Sequence, residues 1–183
     1  MKRKIALAVV LLGPLAYLLY RLFGTGVTDP LKYIYTVTGA TALTLLYITT
    51  SISMVRKIHN FVRYRRMIGL FSFFYALLHM LNFVILDMEL DLANAVSETL
   101  DKPFVYLGMT AFFILFFMAV TSLRVWFARF FKYHKVIYIA IILASIHFVM
   151  AQKALSMEQW GYLGIMGMVA FFKILQRTRL LKL

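Results

Sequence analysis

The chain has 183 residues, 63% of them apolar, with no cysteine and a mean hydropathy of +0.84. Such a composition excludes an ordinary soluble domain. The lack of cysteine excludes disulfides, thiolate-held iron–sulfur clusters and c-type haem attachment. A net charge of +13 would point to nucleic acid in a soluble protein, but here it falls in short blocks between apolar runs and reports topology instead.

Six apolar segments follow one another, at about 5–23, 33–54, 67–86, 104–125, 136–151 and 160–175. Each approaches the ~20 residues that carry a helix across the hydrocarbon, the last two being shorter. The expectation is an all-α integral membrane protein, a single transmembrane domain over residues 1–183 with six transmembrane helices. Lys2, Arg3 and Lys4 precede the first segment as they would in a signal peptide. Its apolar run is longer than such a leader uses, and no small-residue cleavage site follows, so a retained first helix is expected. Sixteen of the twenty Lys/Arg fall in four blocks, Lys2–Lys4, Arg56–Arg66, Arg124–Lys135 and Lys173–Lys182. Arg21, Lys32, Lys102 and Lys153 lie on the other side, with all seven acids, most of them in the loop Asp87–Pro103. By the positive-inside rule both termini are cytoplasmic.

The third and fifth segments each carry a central histidine, His79 in FSFFYALLHMLNFVIL and His147 in VIYIAIILASIHFVMA. An ionisable side chain at membrane depth is costly and has a partner, a ligand or a transfer role. His79 lies thirteen residues after Arg66, and His147 thirteen after His134. At 1.5 Å per residue both imidazoles sit ~19 Å from the basic boundary. Two parallel helices therefore present imidazoles at one depth, outside the midplane. That suits one haem held between the third and fifth helices; the other reading is two unrelated histidines bonding neighbouring helices.

His134 opens the fifth segment at the cytoplasmic boundary. Arg66, not a histidine, occupies the matching place on the third segment. His134 therefore ligates a second haem with another partner, lines a flavin or quinol site, or faces lipid headgroups. His59, in Lys57-Ile58-His59-Asn60, reads as a solvated loop residue. Arg63, Arg65 and Arg66 open the third segment. Guanidinium forks there suit haem propionates, an FMN phosphate or lipid headgroups. Gly24-Thr25-Gly26 lacks the strand context of a dinucleotide site, and no soluble NAD(P)H or FAD domain is expected before Leu183.

Five stretches together resemble a known family: DPLKYIYTVTGATALTLLYITTSIS (29–53), RYRRMIGLFSFFYALLHML (63–81), DKPFVYLGMTAF (101–112), TSLRVW (121–126) and HKVIYIAIILASIHFV (134–149). In order and spacing they are similar to the ferric-reductase-like transmembrane superfamily. Within it they resemble the haem-binding membrane subunits of periplasmic protein-methionine-sulfoxide reductase systems. The resemblance covers roughly residues 29–153. It implies haem b ligated by His79 and His147, with His134 as the third family histidine, and a bound FMN. It also implies a multi-pass place in the bacterial inner membrane and a periplasmic molybdopterin reductase as partner. Two departures stand out. Ala40 replaces the arginine of the family's T-G-R-T-A-L, and Phe130 replaces the tryptophan of W-x-x-x-H. Both touch the donor side more than the haem.

Three functions compete on these grounds. The first is an electron-transfer subunit, taking electrons from a cytoplasmic flavin reductase or quinol and delivering them outward for repair of oxidised envelope proteins. The second is a stand-alone ferric or cupric metalloreductase, with the acidic loop collecting metal. The third is a proton-coupled transporter or assembly factor, with the histidines carrying protons.

Overall fold

The computed structural model describes residues 2–52, 63–152 and 157–177, and among these every regular element is helical. Helix α1 (Lys2–Tyr20) ends in a π turn, Arg21–Thr25. Helix α2 (Pro30–Ser51) starts on proline at its first position, capped by Asp29, which accepts the Lys32 N–H at 3.0 Å. Helix α3 (Arg65–Leu81) continues into a second π turn, Asn82–Asp87. A short helix α4 (Leu92–Asp101), capped by Asp91, leads to α5 (Pro103–Thr121). Beyond it come α6 (Arg124–Phe130), a 3-10 stretch (Phe131–Val136), α7 (Ile137–Met150) and α8 (Met157–Arg177).

Among the described residues, four helical stretches are long and apolar enough to cross a membrane: Lys2–Thr25, Arg65–Asp87, Pro103–Thr121 and Val125–Met150. The chain is a multi-pass membrane protein. Two of the six expected crossings fall outside that set for different reasons. Helix α2 has the length, 22 residues or about 33 Å, but carries many threonines. Their hydroxyls bond back to carbonyls one turn earlier, as in Thr38 to Ile34, Thr44 to Ala40 and Thr49 to Leu45. So satisfied, they are tolerated in an apolar setting that a hydropathy sum undervalues. In α8 the apolar part is only Gln159–Phe172. A third difference is that the basic stretch Arg124–Lys135 is helical. No glycine or proline interrupts the chain from Leu123 to Met150, so helical structure extends back from α7 through the basic stretch.

Helices α2, α3, α5 and α7 form a ring, each touching the next, with the tightest pairs α2–α3 and α5–α7. Helix α3 thus faces α7 across the middle, while α1 and α8 pack on the outside of α2. Small and hydroxylic residues permit the close α2–α3 contact, where the Ser72 hydroxyl donates to the Ala42 carbonyl at 2.8 Å. Leu46, Leu115, Ile137 and Ala140 fill one half of the ring. Helix α1 packs Leu7, Leu11 and Leu15 against Ala42, Leu45 and Ile68, and one polar side chain adds to that docking. Pro14 cannot donate to its own helix, and its ring pushes the preceding turn open. The fully buried Tyr75 closes the gap, its hydroxyl donating to the Leu11 carbonyl (2.7 Å) and accepting the Leu15 N–H (3.2 Å).

Candidate functional site

His79 lies near the C-terminal end of α3, and His147 near the C-terminal end of α7. Across the ring their imidazole centres are 6.0 Å apart, with the planes at 89°. The equal depth expected from the spacing is therefore realised as contact. The hydrogen bonds fix the tautomer of each ring. The His147 Nδ1 lies 2.6 Å from the Phe104 carbonyl; a carbonyl only accepts, so Nδ1 carries the proton. The His79 Nδ1 meets the Thr38 hydroxyl at 3.3 Å, and that hydroxyl spends its own proton on the Ile34 carbonyl at 2.6 Å. Thr38 therefore accepts, and Nδ1 is again the protonated nitrogen. Among the described residues neither Nε2 has a hydrogen-bond partner, which leaves its lone pair in the form in which imidazole binds a metal, with the other nitrogen held by an outer acceptor.

Two glycines make room for the rings. A Cβ on Gly39 would stand 2.8 Å from the His79 Cε1, and one on Gly108 would stand 2.8 Å from the His147 Cε1 and Nδ1. Tyr35 packs edge-on against His79 at 5.2 Å, and Phe104 stacks on His147 at 6.1 Å. The Tyr35 hydroxyl donates to Asp87 at 2.8 Å, linking the His79 side of the pocket to the acidic loop. One turn beyond His79 the buried Asn82 has an amide oxygen without a hydrogen bond among the described residues. Both histidines are half-buried. Two imidazoles sharing one metal ion need centres roughly 6 Å apart, from ~2 Å per bond and about 1 Å of ring on each side. The residues present fit a bis-imidazole haem. Thr38, Gly39, Gly108 and Phe104 were not singled out as site residues from the sequence, although Thr38 and Gly39 open the T-G-x-T-A-L motif.

The other expected residues lie apart. His134 is at the opposite end of the bundle, its Nε2 3.1 Å from the Thr121 hydroxyl, which donates to the Phe117 carbonyl at 2.7 Å. Here Nε2 carries the proton, the opposite tautomer to the outer pair, and Nδ1 is the free nitrogen. Phe127 packs edge-on against this ring at 5.3 Å. Arg65 is half-buried and its charge reaches His134, whereas Arg66 is exposed. The two arginines, equivalent in the sequence, thus separate. Arg63 is exposed and lies over Tyr64 at 4.7 Å. His59 lies outside the described residues. On the outer loop Glu98 pairs with Lys102 and raises the ammonium pKa, while Asp91 caps α4. Among the described residues no three of His, Cys, Asp and Glu converge as a metal-binding group.

Comparison with known proteins converges on one group. A family model described as "Ferric reductase like transmembrane component" matches residues 38–146, starting at Thr38 and stopping one residue before His147. A Brucella anthropi protein named protein-methionine-sulfoxide reductase heme-binding subunit MsrQ is 32% identical over 154 residues, 81% of this chain and 70% of that protein. A Rhizobium meliloti protein of the same name is 32% identical over 146 residues, 76% of this chain and 67% of its own length. One from Brucella ovis is 31% identical over 160 residues, covering 82% and 73%.

Proposed function

The chain belongs to the ferric-reductase-like transmembrane family, and we propose that it is the haem-binding, electron-carrying subunit of a protein-methionine-sulfoxide reductase system in the bacterial inner membrane. The observation that carries this reading is the pair of imidazoles 6.0 Å apart, both with Nδ1 committed to an acceptor and Nε2 free. His79 and His147 would hold haem b, which when bound supplies a one-electron carrier in the outer half of the membrane. Thr38 and Phe104 hold the tautomer and the orientation of the two rings. Gly39 and Gly108 let the neighbouring backbones approach them.

At the cytoplasmic end Arg65, His134 and Thr121 form the receiving side for a flavin, FMN by family resemblance, or for a quinol. Arg65 offers the fork for an anionic donor. His134, with its Nε2 spent on Thr121, holds that end of the bundle together and offers only Nδ1 to a ligand. On the outer side a separate periplasmic molybdenum-dependent reductase takes the electrons and repairs oxidised methionine in envelope proteins. The acidic loop is its docking face.

The test is the absorption spectrum of the purified protein and of His79→Ala and His147→Ala. The expected result is a low-spin b-type haem in the parent and little or no haem in either variant, with membrane insertion unchanged. Normal haem content in both variants would overturn the assignment. Rapid turnover of ferric chelates by the reduced protein, with no transfer to a methionine sulfoxide reductase, would replace this reading with a metalloreductase.

A further inference from the structure

Tyr35 on α2 joins His79 to the outer loop through three contacts. Its main-chain carbonyl shares with Thr38 the holding of the His79 ring. Its phenol ring stands edge-on to the imidazole, with centres 5.2 Å apart and planes at 72°. Its hydroxyl donates to Asp87 at 2.8 Å. Phe104 plays the first two parts for His147 in a different pose, its carbonyl 2.6 Å from Nδ1 and its ring stacked at 26°. Phenylalanine has no hydroxyl, so only the Tyr35 ring is tethered. The far end of that tether is fixed. Asp87 closes the π turn after α3, where the Met88 N–H donates to the Phe83 carbonyl and the Leu90 N–H to the Val84 carbonyl, both at 2.9 Å. Glu89 and Leu90 hold positive φ of 50° and 66°, which non-glycine residues keep only where the surroundings over-determine the backbone.

The imidazole planes of His79 and His147 cross at 89°. The last side-chain torsion of histidine is broad rather than locked in a staggered well. A hydrogen bond at Nδ1 narrows it, and ring packing fixes the rest. We propose that Tyr35 is a positioning residue for His79: tethered to Asp87, its ring holds the His79 plane at right angles to that of His147. The inference rests on the haem reading above. Each imidazole donates π electrons only perpendicular to its own plane, so crossed rings address two different iron d orbitals and parallel rings address one. The angle that Tyr35 sets is therefore visible in the low-spin ferric resonance. Crossed rings leave those orbitals nearly degenerate and give one dominant low-field line, whereas aligned rings split them and give three.

The experiment records low-temperature electron paramagnetic resonance of the oxidised full chain and of Tyr35→Phe, Asp87→Ala and Asp87→Asn, with haem per protein measured in each. The parent should show the single low-field line. Tyr35→Phe keeps the ring and loses the tether; Asp87→Ala removes the far end of it. In both, the line should move to higher field and spread toward the three-line form, with haem retained. Asp87→Asn removes the charge but keeps an oxygen that accepts the phenol proton, so it should match the parent. A three-line parent, or a parental spectrum in either Tyr35→Phe or Asp87→Ala, overturns the proposal. So does a shift in Asp87→Asn as large as in Asp87→Ala, which assigns the effect to charge. If Tyr35→Phe loses its haem, Asp87→Ala decides, because Asp87 is exposed and lies outside the packed ring. A parent without haem refutes the function proposed above as well, whereas haem-bearing variants with the parent's spectrum refute the tether alone.

Discussion

Gly108→Ala isolates the close approach on which the proposed His147 ligation depends. The added Cβ would stand 2.8 Å from the His147 Cε1 and Nδ1, whereas ordinary contact begins at 3.4 Å, so the ring must move by about 0.6 Å. It is not free to do so, because its Nδ1 is held 2.6 Å from the Phe104 carbonyl. Overpacking of this kind costs about 1–3 kcal/mol, and weakening the hydrogen bond adds about 1 kcal/mol. Metal–ligand distances tolerate only about ±0.2 Å, so the strain should fall on ligation. The expected outcome is haem affinity lowered about 10–100-fold, the usual scale for disturbing a ligand's support, with a shift from low-spin toward high-spin absorption. Haem per protein and the visible spectrum of the purified variant measure both. Gly161→Ala is the matched control, since nothing lies within 4 Å of its Cβ position. Parental haem content and spectrum in Gly108→Ala would refute the reasoning.

Tyr75→Phe should destabilise the solubilised protein by about 1–3 kcal/mol, because it orphans the backbone groups of Leu11 and Leu15. The cost should largely vanish in a Pro14→Ala background, where the helix can close its own hydrogen bond; equal costs in thermal unfolding of both backgrounds would count against the Pro14–Tyr75 account. Arg65→Gln should slow reduction from the cytoplasmic side or weaken flavin binding, and Arg66→Gln should do neither, since only Arg65 is half-buried beside His134. Equal effects of the two on reduction rate would return both to lipid anchoring. On the acidic face Glu89→Lys is the clean reversal, because Asp87 is held by Tyr35 and Asp91 caps α4. It should slow transfer to the periplasmic reductase in a salt-dependent manner without changing haem content, and a salt-independent rate equal to the parent's would remove the docking role.

Much of this architecture is legible in the sequence, and what is not has specific causes. The crossings in the first, third, fourth and fifth segments are apolar runs, and those stand out in any reading. The depth of His79 and His147 is readable because Arg66 and His134 mark the basic boundary thirteen residues before each. Helix α2 is harder, since its threonines lower its hydropathy while their bonds to the Ile34, Ala40 and Leu45 carbonyls satisfy the hydroxyls within the helix. The helix across Arg124–Phe130 is masked by its charges, although the absence of glycine and proline there is the usable signal. The separation of Arg65 from Arg66 follows from roughly 100° per residue, but which of the two faces inward depends on where α3 packs.

The least legible feature explains the site best. Gly39 on α2 precedes His79 on α3 by forty residues, and Gly108 on α5 precedes His147 on α7 by thirty-nine. A Cβ at either glycine would stand 2.8–2.9 Å from the Cε1 and Nδ1 of its histidine, and in each helix pair the first helix supplies the acceptor for Nδ1, Thr38 in one and Phe104 in the other. The bundle is thus two helix pairs, α2–α3 and α5–α7, that do the same thing with unlike sequences. Each pair is the tightest contact its members make, and that tightness seats a glycine against an imidazole. The first pair holds its ring through the Thr38 hydroxyl and the Tyr35 carbonyl, the second through the Phe104 carbonyl, and Tyr35 and Phe104 are the aromatic residues four positions before the two glycines. Because each pair fixes its own imidazole, setting one pair against the other brings two free Nε2 atoms to a single depth without any contact made directly between α3 and α7 having to arrange it.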